Sequence, residues 1–269
     1  PTISSGQSSK VMIVSTPHGM NMFYKMWTDA LNKKNTFQPI EVHWSEVPGR
    51  DEKWKEQTIK NTSEAQFQTE FECEFLGSID TLINASKLKT MAIIDPKRSP
   101  DGLDVYEMPK KDHTYVTTVD VARGINNDYS AFIVFDATKA PYKIVAKYRN
   151  NDIKPIVFPN ILKKVSDYYN KAYVLIEIND LGQQVADAMQ FELEYDNMMM
   201  VTQRGRAGQV LGGGFSGRGN QLGLRMTKGT KKIGTSNLKS LIEGDKLIIQ
   251  DFEIVSELST FIARGKSFE

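Results

Sequence analysis

The sequence predicts an α/β fold in which helices flank a mixed β-sheet. Three β-rich runs separated by short polar turns are typical of an antiparallel three-stranded meander, and they cover residues 115–121, 131–135 and 142–148. Strand-like and helical segments alternate after the meander, which predicts further strands with helices on the faces of the sheet. Apolar residues make up 40% and charged residues 25% of the 269 residues, as is usual for a soluble protein.

The residues before the meander predict a different organisation. An apolar β-branched run at 10–15 precedes a Thr-Pro-His-Gly turn and predicts a strand, and the alternation over 37–44 predicts a second one. Helices are expected over 22–31, over about 51–63, and from Ser63 to about residue 72. No apolar face here is large enough for an independent core. We therefore expect residues 1–77 to be the end of one domain plus a connector, and residues 78–269 to be a second domain.

The segments after the meander complete the second domain. Helical spacing of apolar residues over 156–169 is followed by a strand at 173–178, a helix at 181–194 and a strand at 197–202. A helix over 236–242, a strand-like run at 246–250 and a helix over 255–264 end the chain. The order β-β-β-α-β-α-β-α is that of the ribonuclease H-like architecture, although element order alone says little about function.

The distribution of charge is more informative than its sum. The chain has 34 basic and 33 acidic residues, yet no Asp or Glu lies between Thr202 and Ile242. This Gly-rich, basic stretch indicates a site for a polyanion, and a solvated loop explains it equally well. Few apolar residues can anchor it, so we expect it to be mobile when no polyanion is bound. The single cysteine, Cys73, excludes internal disulfides and cysteine-based zinc sites and agrees with a reducing compartment.

Two carboxylates interrupt apolar strands. Asp120 lies in Tyr-Val-Thr-Thr-Val-Asp, and Glu177 lies in Tyr-Val-Leu-Ile-Glu. In a sheet of the predicted order the first and fourth strands are neighbours, so the two acids repel each other unless a cation lies between them. Hard divalent cations such as Mg²⁺ and Mn²⁺ favour such oxygen ligands. Salt bridges to nearby basic residues are the alternative, and Asp128, on the following turn, is at least as well explained as a turn residue capping its own backbone.

Several segments together resemble the large terminase subunit, the DNA-packaging motor of tailed bacteriophages with contractile tails. Residues 11–19 are similar to the end of that family's ATPase domain, and residues 66–77 to its connector. Residues 118–128 and 175–182, with Glu-Ile-Asn-Asp-Leu-Gly, resemble the two metal-binding strands of its nuclease. Residues 239–249 resemble the segment ahead of the last helix.

This resemblance implies a Mg²⁺-dependent endonuclease, with Mn²⁺ as a substitute, that cuts concatemeric double-stranded DNA with little sequence preference. Asp120, Glu177 and Asp128 would be its catalytic and metal-binding residues, acting by two-metal hydrolysis, and a further Asp ligand is expected just past Glu269. ATP hydrolysis is not expected, because the family's ATP-binding loop lies upstream. The residues assigned to DNA binding are Arg204, Arg206, Arg218, Arg225, Lys228, Lys231 and Lys232.

The resemblance also implies partners and a location. These are the ATPase portion of the same polypeptide, the portal protein, the small terminase subunit, and the host cell cytoplasm with transient attachment to the viral prohead. Two other functions stay open. One is a non-catalytic DNA clamp that couples a motor to DNA. The other is a resolvase-like or transposase-like nuclease of the same fold.

Overall fold

The computed structural model describes residues 10–17, 19–75, 81–99, 102–124, 128–202, 220–261, 263–264 and 267–268. The chain forms two compact units. Unit 1 comprises residues 1–89 and 253–263 with residue 269, and unit 2 comprises residues 90–252 and 264–268. No helix of the described residues is long and apolar enough to cross a membrane.

Unit 1 is helical where the sequence predicts helices. Asn21 caps the first helix by accepting hydrogen bonds from the backbone of Phe23 and Tyr24, and Asp51 and Ser63 cap the next two in the same way. These caps confirm the predicted helix starts. The helices of this unit are α1 (Met22–Leu31), α2 (Glu52–Asn61), α3 (Glu64–Glu70), α4 (Ala85–Lys89) and most of α8 (Phe252–Thr260), with a 3₁₀ turn at Trp44–Glu46.

An aromatic cluster holds α2 and α3 together. Phe67 is fully buried, and its ring centroid lies 5.9 Å from that of Trp44 and 6.0 Å from that of Trp54. Phe71 meets Trp54 edge-on at 5.3 Å. Aromatic pairs at such separations add about 0.5–1.5 kcal/mol each to the stabilisation from burial.

The two strands predicted in this unit are wrong. The described residues 10–17 and 37–43 are extended or irregular and belong to no strand. Val11, Met12 and Val14 are 45%, 87% and 84% exposed. The first segment has the apolar β-branched run and the second has the alternation, but a strand also needs a neighbouring strand to accept and donate its backbone hydrogen bonds. The described residues of unit 1 supply none.

Unit 2 is built on a seven-stranded mixed sheet, which confirms the predicted fold class. Its strands are β1 (Lys97–Arg98), β2 (Leu103–Val105), β3 (Tyr115–Asp120), β4 (Ser130–Asp136), β5 (Tyr142–Asn150), β6 (Tyr173–Ile176) and β9 (Leu247–Ile248). The order is β1-β2-β5-β4-β3-β6, with β9 pairing alongside β5. The pairs β3–β4 and β4–β5 are antiparallel, as the predicted meander requires, whereas β3–β6 and β5–β9 are parallel.

The remaining elements of unit 2 are three helical segments and two small ribbons. The helices are α5 (Phe158–Tyr168), α6 (Gly182–Asp187), which continues as a π-helix (Ala188–Glu192), and α7 (Lys228–Glu243). The ribbons pair β7 (Met200–Thr202) with β8 (Asn220–Leu222), and β10 (Ala263–Arg264) with β11 (Ser267–Phe268).

The core of unit 2 lies between the sheet and its helices. Tyr115, Thr117 and Val119 of β3 are buried in alternation with less buried neighbours, as the period of a strand requires. In α5, Leu162 and Val165 face the same core. The buried cluster also contains Phe132, Val134, Val145, Tyr148, Phe158, Tyr169, Val174, Ile176, Ile178, Val185 and Met189.

The helix predicted over 255–264 ends at Thr260, and residues 263–264 belong to β10. Two further elements differ from the predictions. The helix predicted over 236–242 begins at Lys228, because Thr227 and Thr230 form a reciprocal capping box that starts it early despite Gly229. The strand predicted at 197–202 is shorter and pairs with β8 instead of joining the main sheet; it touches β6 only through a bridge between Val174 and Met198. Both outcomes depend on partners that a local pattern does not contain.

The core packing leads to a first prediction. Leu162→Ala is expected to destabilise unit 2 by about 2–5 kcal/mol, because the fully buried side chain leaves a cavity against the sheet. The midpoint of urea unfolding measures this. Ile156→Ala is the control, since Ile156 is 82% exposed and its truncation should change stability by about 0.5 kcal/mol or less. Equal effects of the two substitutions would show that α5 does not pack as described.

A second prediction concerns pH. The Lys143 ammonium, with help from Lys110, holds the pKa of the Glu107 carboxyl below its ordinary value. A lowered pKa contributes stability that is present above the unfolded-state pKa and is lost as pH falls through the folded-state pKa. Glu107→Gln should therefore lower the Tm near neutral pH, and the difference should vanish in acid. Glu192→Gln, at an exposed glutamate, serves as the control; a deficit for Glu107→Gln that persists at low pH would contradict the ion-pair origin.

Candidate active site

The two strand carboxylates lie at the ends of neighbouring parallel strands. The β3–β6 register pairs Val119 with Ile176, so Asp120 and Glu177 occupy the next position on each chain. The backbone N–H of Glu177 donates to the carbonyl of Val119 at 2.9 Å. The adjacency predicted from the strand order is therefore present.

The chain that follows β8 pairs with the backbone around Glu177, on the side opposite β3. Leu224 forms a parallel bridge with Glu177: its N–H donates to Ile176 O at 2.8 Å, and its carbonyl accepts from Ile178 N at 3.0 Å. Gly223 has φ +74°, and a Cβ there would lie 2.3 Å from Ile176 O. A Cβ at Gly182 would lie 1.8 Å from Glu177 O. Only glycine permits these two close approaches.

Burial and a neighbouring carboxylate raise the pKa values of Asp120 and of Glu177. Burial raises the pKa of the Asp120 carboxyl, and the negative charge of Asp128 raises it further, against a lowering hydrogen bond from the backbone of Val121. Burial also raises the pKa of Glu177, and the charge of Asp120 adds to this, while Lys231 opposes it. At neutral pH the ionised carboxylates repel each other, and a cation between them would remove that cost.

Asp120 lines two adjoining clefts. A 220 Å³ cleft is bounded by Asp120, Asp128, Tyr129 and the ion pair of Arg123 with Asp180, whose Nε–Oδ2 distance is 2.9 Å. A 300 Å³ cleft has mostly apolar walls and contains both Asp120 and Glu177; its apolar lining includes Val119, Ile133, Leu175, Leu224 and Met226. Both carboxylates therefore face space that a ligand can enter.

The donor chemistry fits a hard divalent cation. Asp120 and Glu177 offer only carboxylate oxygens, the ligands that Mg²⁺ and Mn²⁺ prefer. Across the described residues, no three His, Cys, Asp or Glu side chains form a group that could hold a metal by themselves. The pair could thus supply only part of a coordination sphere, and the charge of Asp128 acts on Asp120.

The basic residues assigned to DNA binding fall into two groups. Arg204, Arg206 and Arg218 lie outside the described residues, as does most of the stretch expected to be mobile. Arg225 directly follows Leu224, and Lys228, Lys231 and Lys232 lie in the first turns of α7. The prediction placed these lysines before the helix expected at 236–242, and this is wrong, because the Thr227 cap makes that part helical. Their i, i+3, i+4 spacing puts them on one helix face, and Lys231 of this face acts on Glu177.

Four residues at the site were missed by the sequence reasoning: Arg123, Tyr129, Asn179 and Asp180. Three of them follow the carboxylates by two or three positions, and polar residues just past the ends of strands were the available signal. Asn179 donates to Glu177 Oε1 at 3.1 Å. Arg149 lies over the ring of Tyr129, with 3.9 Å from the guanidinium carbon to the ring centroid.

The fold and the site together define a class of protein. A three-stranded meander, a helix and a fourth strand parallel to the first, with acids at the ends of these two adjacent strands, make unit 2 an α/β domain of the ribonuclease H-like type. The family model described as terminase RNaseH-like domain matches residues 117–267, and one described as terminase large subunit, T4likevirus-type, N-terminal matches residues 1–90. The chain belongs to the terminase large subunit family, which confirms the resemblance found in the sequence.

Relatives among curated and solved proteins agree. The large terminase subunit of Thermus virus P23-45 is 27% identical over 204 residues, 70% of this chain and 40% of the relative, and that of Thermus phage G20c is 26% identical with the same coverage. The chain thus spans about two fifths of the length of these relatives. Crystal structures of the phage G20c large terminase nuclease with bound cobalt and with bound magnesium superpose with TM-scores of 0.52 at 21% and 22% identity. Each comparison covers 69% of this chain and 82% of the other, and it shows likeness of fold.

The raised pKa values lead to a third prediction. A carboxyl whose pKa is raised in the folded state costs stability above that pKa, so removing its charge should stabilise the metal-free protein at neutral pH. Asp120→Asn is expected to raise the Tm in EDTA by about 2–4 °C. Divalent metal should raise the Tm of the unchanged protein more than that of the variant.

Differential scanning calorimetry at pH 7, with and without Mn²⁺, measures both effects. Asp196→Asn removes an equal charge from an exposed position and should leave the Tm within about 1 °C. A lower Tm of Asp120→Asn in EDTA would contradict the repulsion between the carboxylates.

Proposed function

We propose that unit 2 is the metal-dependent endonuclease of a DNA-packaging terminase, cutting concatemeric double-stranded DNA with little sequence specificity. The observation that carries the proposal is the side-by-side placement of Asp120 and Glu177 at the ends of β3 and β6. Family membership supports it, and so does the repulsion that a cation between the two carboxylates would relieve.

In this proposal Asp120 and Glu177 bind Mg²⁺, with Mn²⁺ as a substitute, and Asp128 is an auxiliary acid. The relative's nuclease was solved with magnesium and with cobalt, which supports a divalent cation. A further carboxylate is expected past Glu269. When bound, a pair of such ions activates water and stabilises the leaving 3′ oxygen.

The chain's own groups then have distinct tasks. Lys231 favours the ionised form of Glu177, which is the form that binds metal. Arg123, two-thirds exposed at the cleft and paired with Asp180, can exchange this partner for a DNA phosphate. No His or Cys is needed for the attack.

DNA would lie along the basic residues that lead into α7. From there its path would continue to the carboxylates of Asp120 and Glu177. Arg225, Lys228, Lys231 and Lys232 are the described members of this set, and Arg204, Arg206 and Arg218 are assigned to it from the sequence. Such residues contact phosphates and do not read bases, which suits cutting with little sequence preference. Loss of each phosphate contact weakens binding and lowers its salt dependence.

We further propose that this nuclease works within a longer polypeptide whose ATPase portion ends near residue 77, so that the chain alone does not hydrolyse ATP. The portal protein and small terminase subunit are the expected protein partners. Host cytoplasm, with transient attachment to the prohead, is the expected location.

The fourth prediction tests the nuclease directly. Asp120→Ala and Glu177→Ala should each reduce Mn²⁺-dependent nicking of supercoiled plasmid by at least about 100-fold, since each removes a metal ligand. Asp128→Ala should have a smaller effect, of about tenfold. Asp196→Ala is the matched control and should cut as the unchanged chain does. Asp196 is an exposed acid two residues before Met198, which forms a bridge with Val174 of β6.

The alternatives give different results in the same assay. A non-catalytic clamp predicts DNA binding without any nicking that depends on Asp120 or Glu177. A resolvase-like nuclease predicts a preference for four-way junctions over linear and circular duplex. Nicking that persists in both alanine variants would end the proposal.

A further inference from the structure

We propose that Asn179 is a positioning residue, which holds the Glu177 carboxylate in the orientation needed for metal and ties it to the segment that begins α7. The inference rests on the proposed function. It assigns a role in metal binding to a residue that does not itself touch metal or DNA.

The side-chain amide of Asn179 forms three hydrogen bonds. Its Nδ2 donates to Glu177 Oε1 at 3.1 Å and to the Met226 carbonyl at 3.1 Å. Its Oδ1 accepts from the backbone N–H of Met226 at 3.2 Å. Both N–H groups and the carbonyl of the amide are therefore occupied, so the side chain has one orientation in which all three bonds exist.

Only an amide serves this arrangement. A carboxylate in its place could accept from Met226 N–H, but it would repel Glu177 and the Met226 carbonyl. A lysine or arginine could donate to Glu177, but it would neutralise the negative charge that attracts a cation. A neutral donor fixes the carboxylate and leaves its full charge available.

The contact with Met226 links the carboxylate to the basic helix. Met226 precedes Thr227, the N-cap of α7, and Lys231 lies one turn inside that helix. Asn179 thus joins Glu177 to the start of the helix whose lysine acts on it. Binding of a phosphate by the lysines and binding of metal by Glu177 would then be set by the same three hydrogen bonds.

Backbone hydrogen bonds that do not involve Asn179 also hold the segment that leads into α7. The backbone of Leu224 is held to Ile176 and Ile178 at 2.8 and 3.0 Å without any help from Asn179. The amide adds two bonds to Met226 and one bond that sets the rotamer of Glu177. Its loss should therefore affect metal binding far more than stability.

The fifth prediction uses the 269-residue chain with Asn179→Ala, which truncates the amide, and Asn179→Leu, which keeps its volume without hydrogen bonds. Two values are measured: the Kd for Mn²⁺, by calorimetric titration, and the Mn²⁺ concentration that half-saturates plasmid nicking. Both values should rise about tenfold in both variants, in line with partners that orient metal ligands. Nicking should recover towards the unchanged rate at high Mn²⁺, and the Tm in EDTA should change little.

Asn197→Ala is the matched control, because Asn197 also donates its amide to a backbone carbonyl, that of Lys171, away from Glu177. It should bind Mn²⁺ as the unchanged chain does. Mn²⁺ affinities of the Asn179 variants within twofold of the unchanged chain would overturn the inference, with or without a lower Tm. If Asp120→Ala still nicks, the proposed function fails; if it is inactive while the Asn179 variants bind normally, only the positioning role fails.

Discussion

The parallel pairing of β3 with β6 is the constraint on which the site depends. Because Val119 pairs with Ile176, the next residue on each strand is a carboxylate, and both acids line the 300 Å³ cleft. A slip of one residue would turn Glu177 to the opposite face of the sheet. The register is held by the buried faces of the two strands, where Val119, Val174 and Ile176 are 4% exposed or less. Burial of these apolar side chains thus offsets the unfavourable free energy of placing two acids side by side.

Close packing around the end of β6 completes this arrangement. The α6 start and the chain leaving β8 both press against the backbone beside Glu177, which requires Gly182 and Gly223. Glu177 therefore has little freedom in its backbone, and what freedom remains lies in its side chain. A site built on strands in this way is more rigid than one carried by loops alone.

The sequence predicted the features that a local pattern determines. The period-two burial of β3 and β4 follows the sequence pattern, and β5 was predicted as a β-rich run. Asp120 and Glu177 were identified because an acid inside an apolar strand is costly. Features that depend on residues far away in the sequence could not be predicted. The residues at 10–15 form an apolar, β-branched run, but no strand of the described residues lies beside them. Strand β7 pairs with β8 instead of joining the main sheet. Asn179 was missed because its partner Met226 lies 47 positions further along the chain.

The charges around Glu177 explain why the site holds its carboxylate with an amide. Asp120 lies on one side of Glu177 and Lys231 acts from α7, so the raising and lowering effects on its pKa come from different elements. If the donor at position 179 were cationic, the two acids would be largely neutralised, and the site would be more stable and less able to attract metal. With a neutral donor the cost of the paired acids is retained until a cation arrives. Functional sites commonly lower the stability of the fold in this way. In the proposed function the same charges would also order events: a polyanion would approach the acidic cleft favourably only once metal had compensated the carboxylates, and the lysines of α7 would then contact its phosphates.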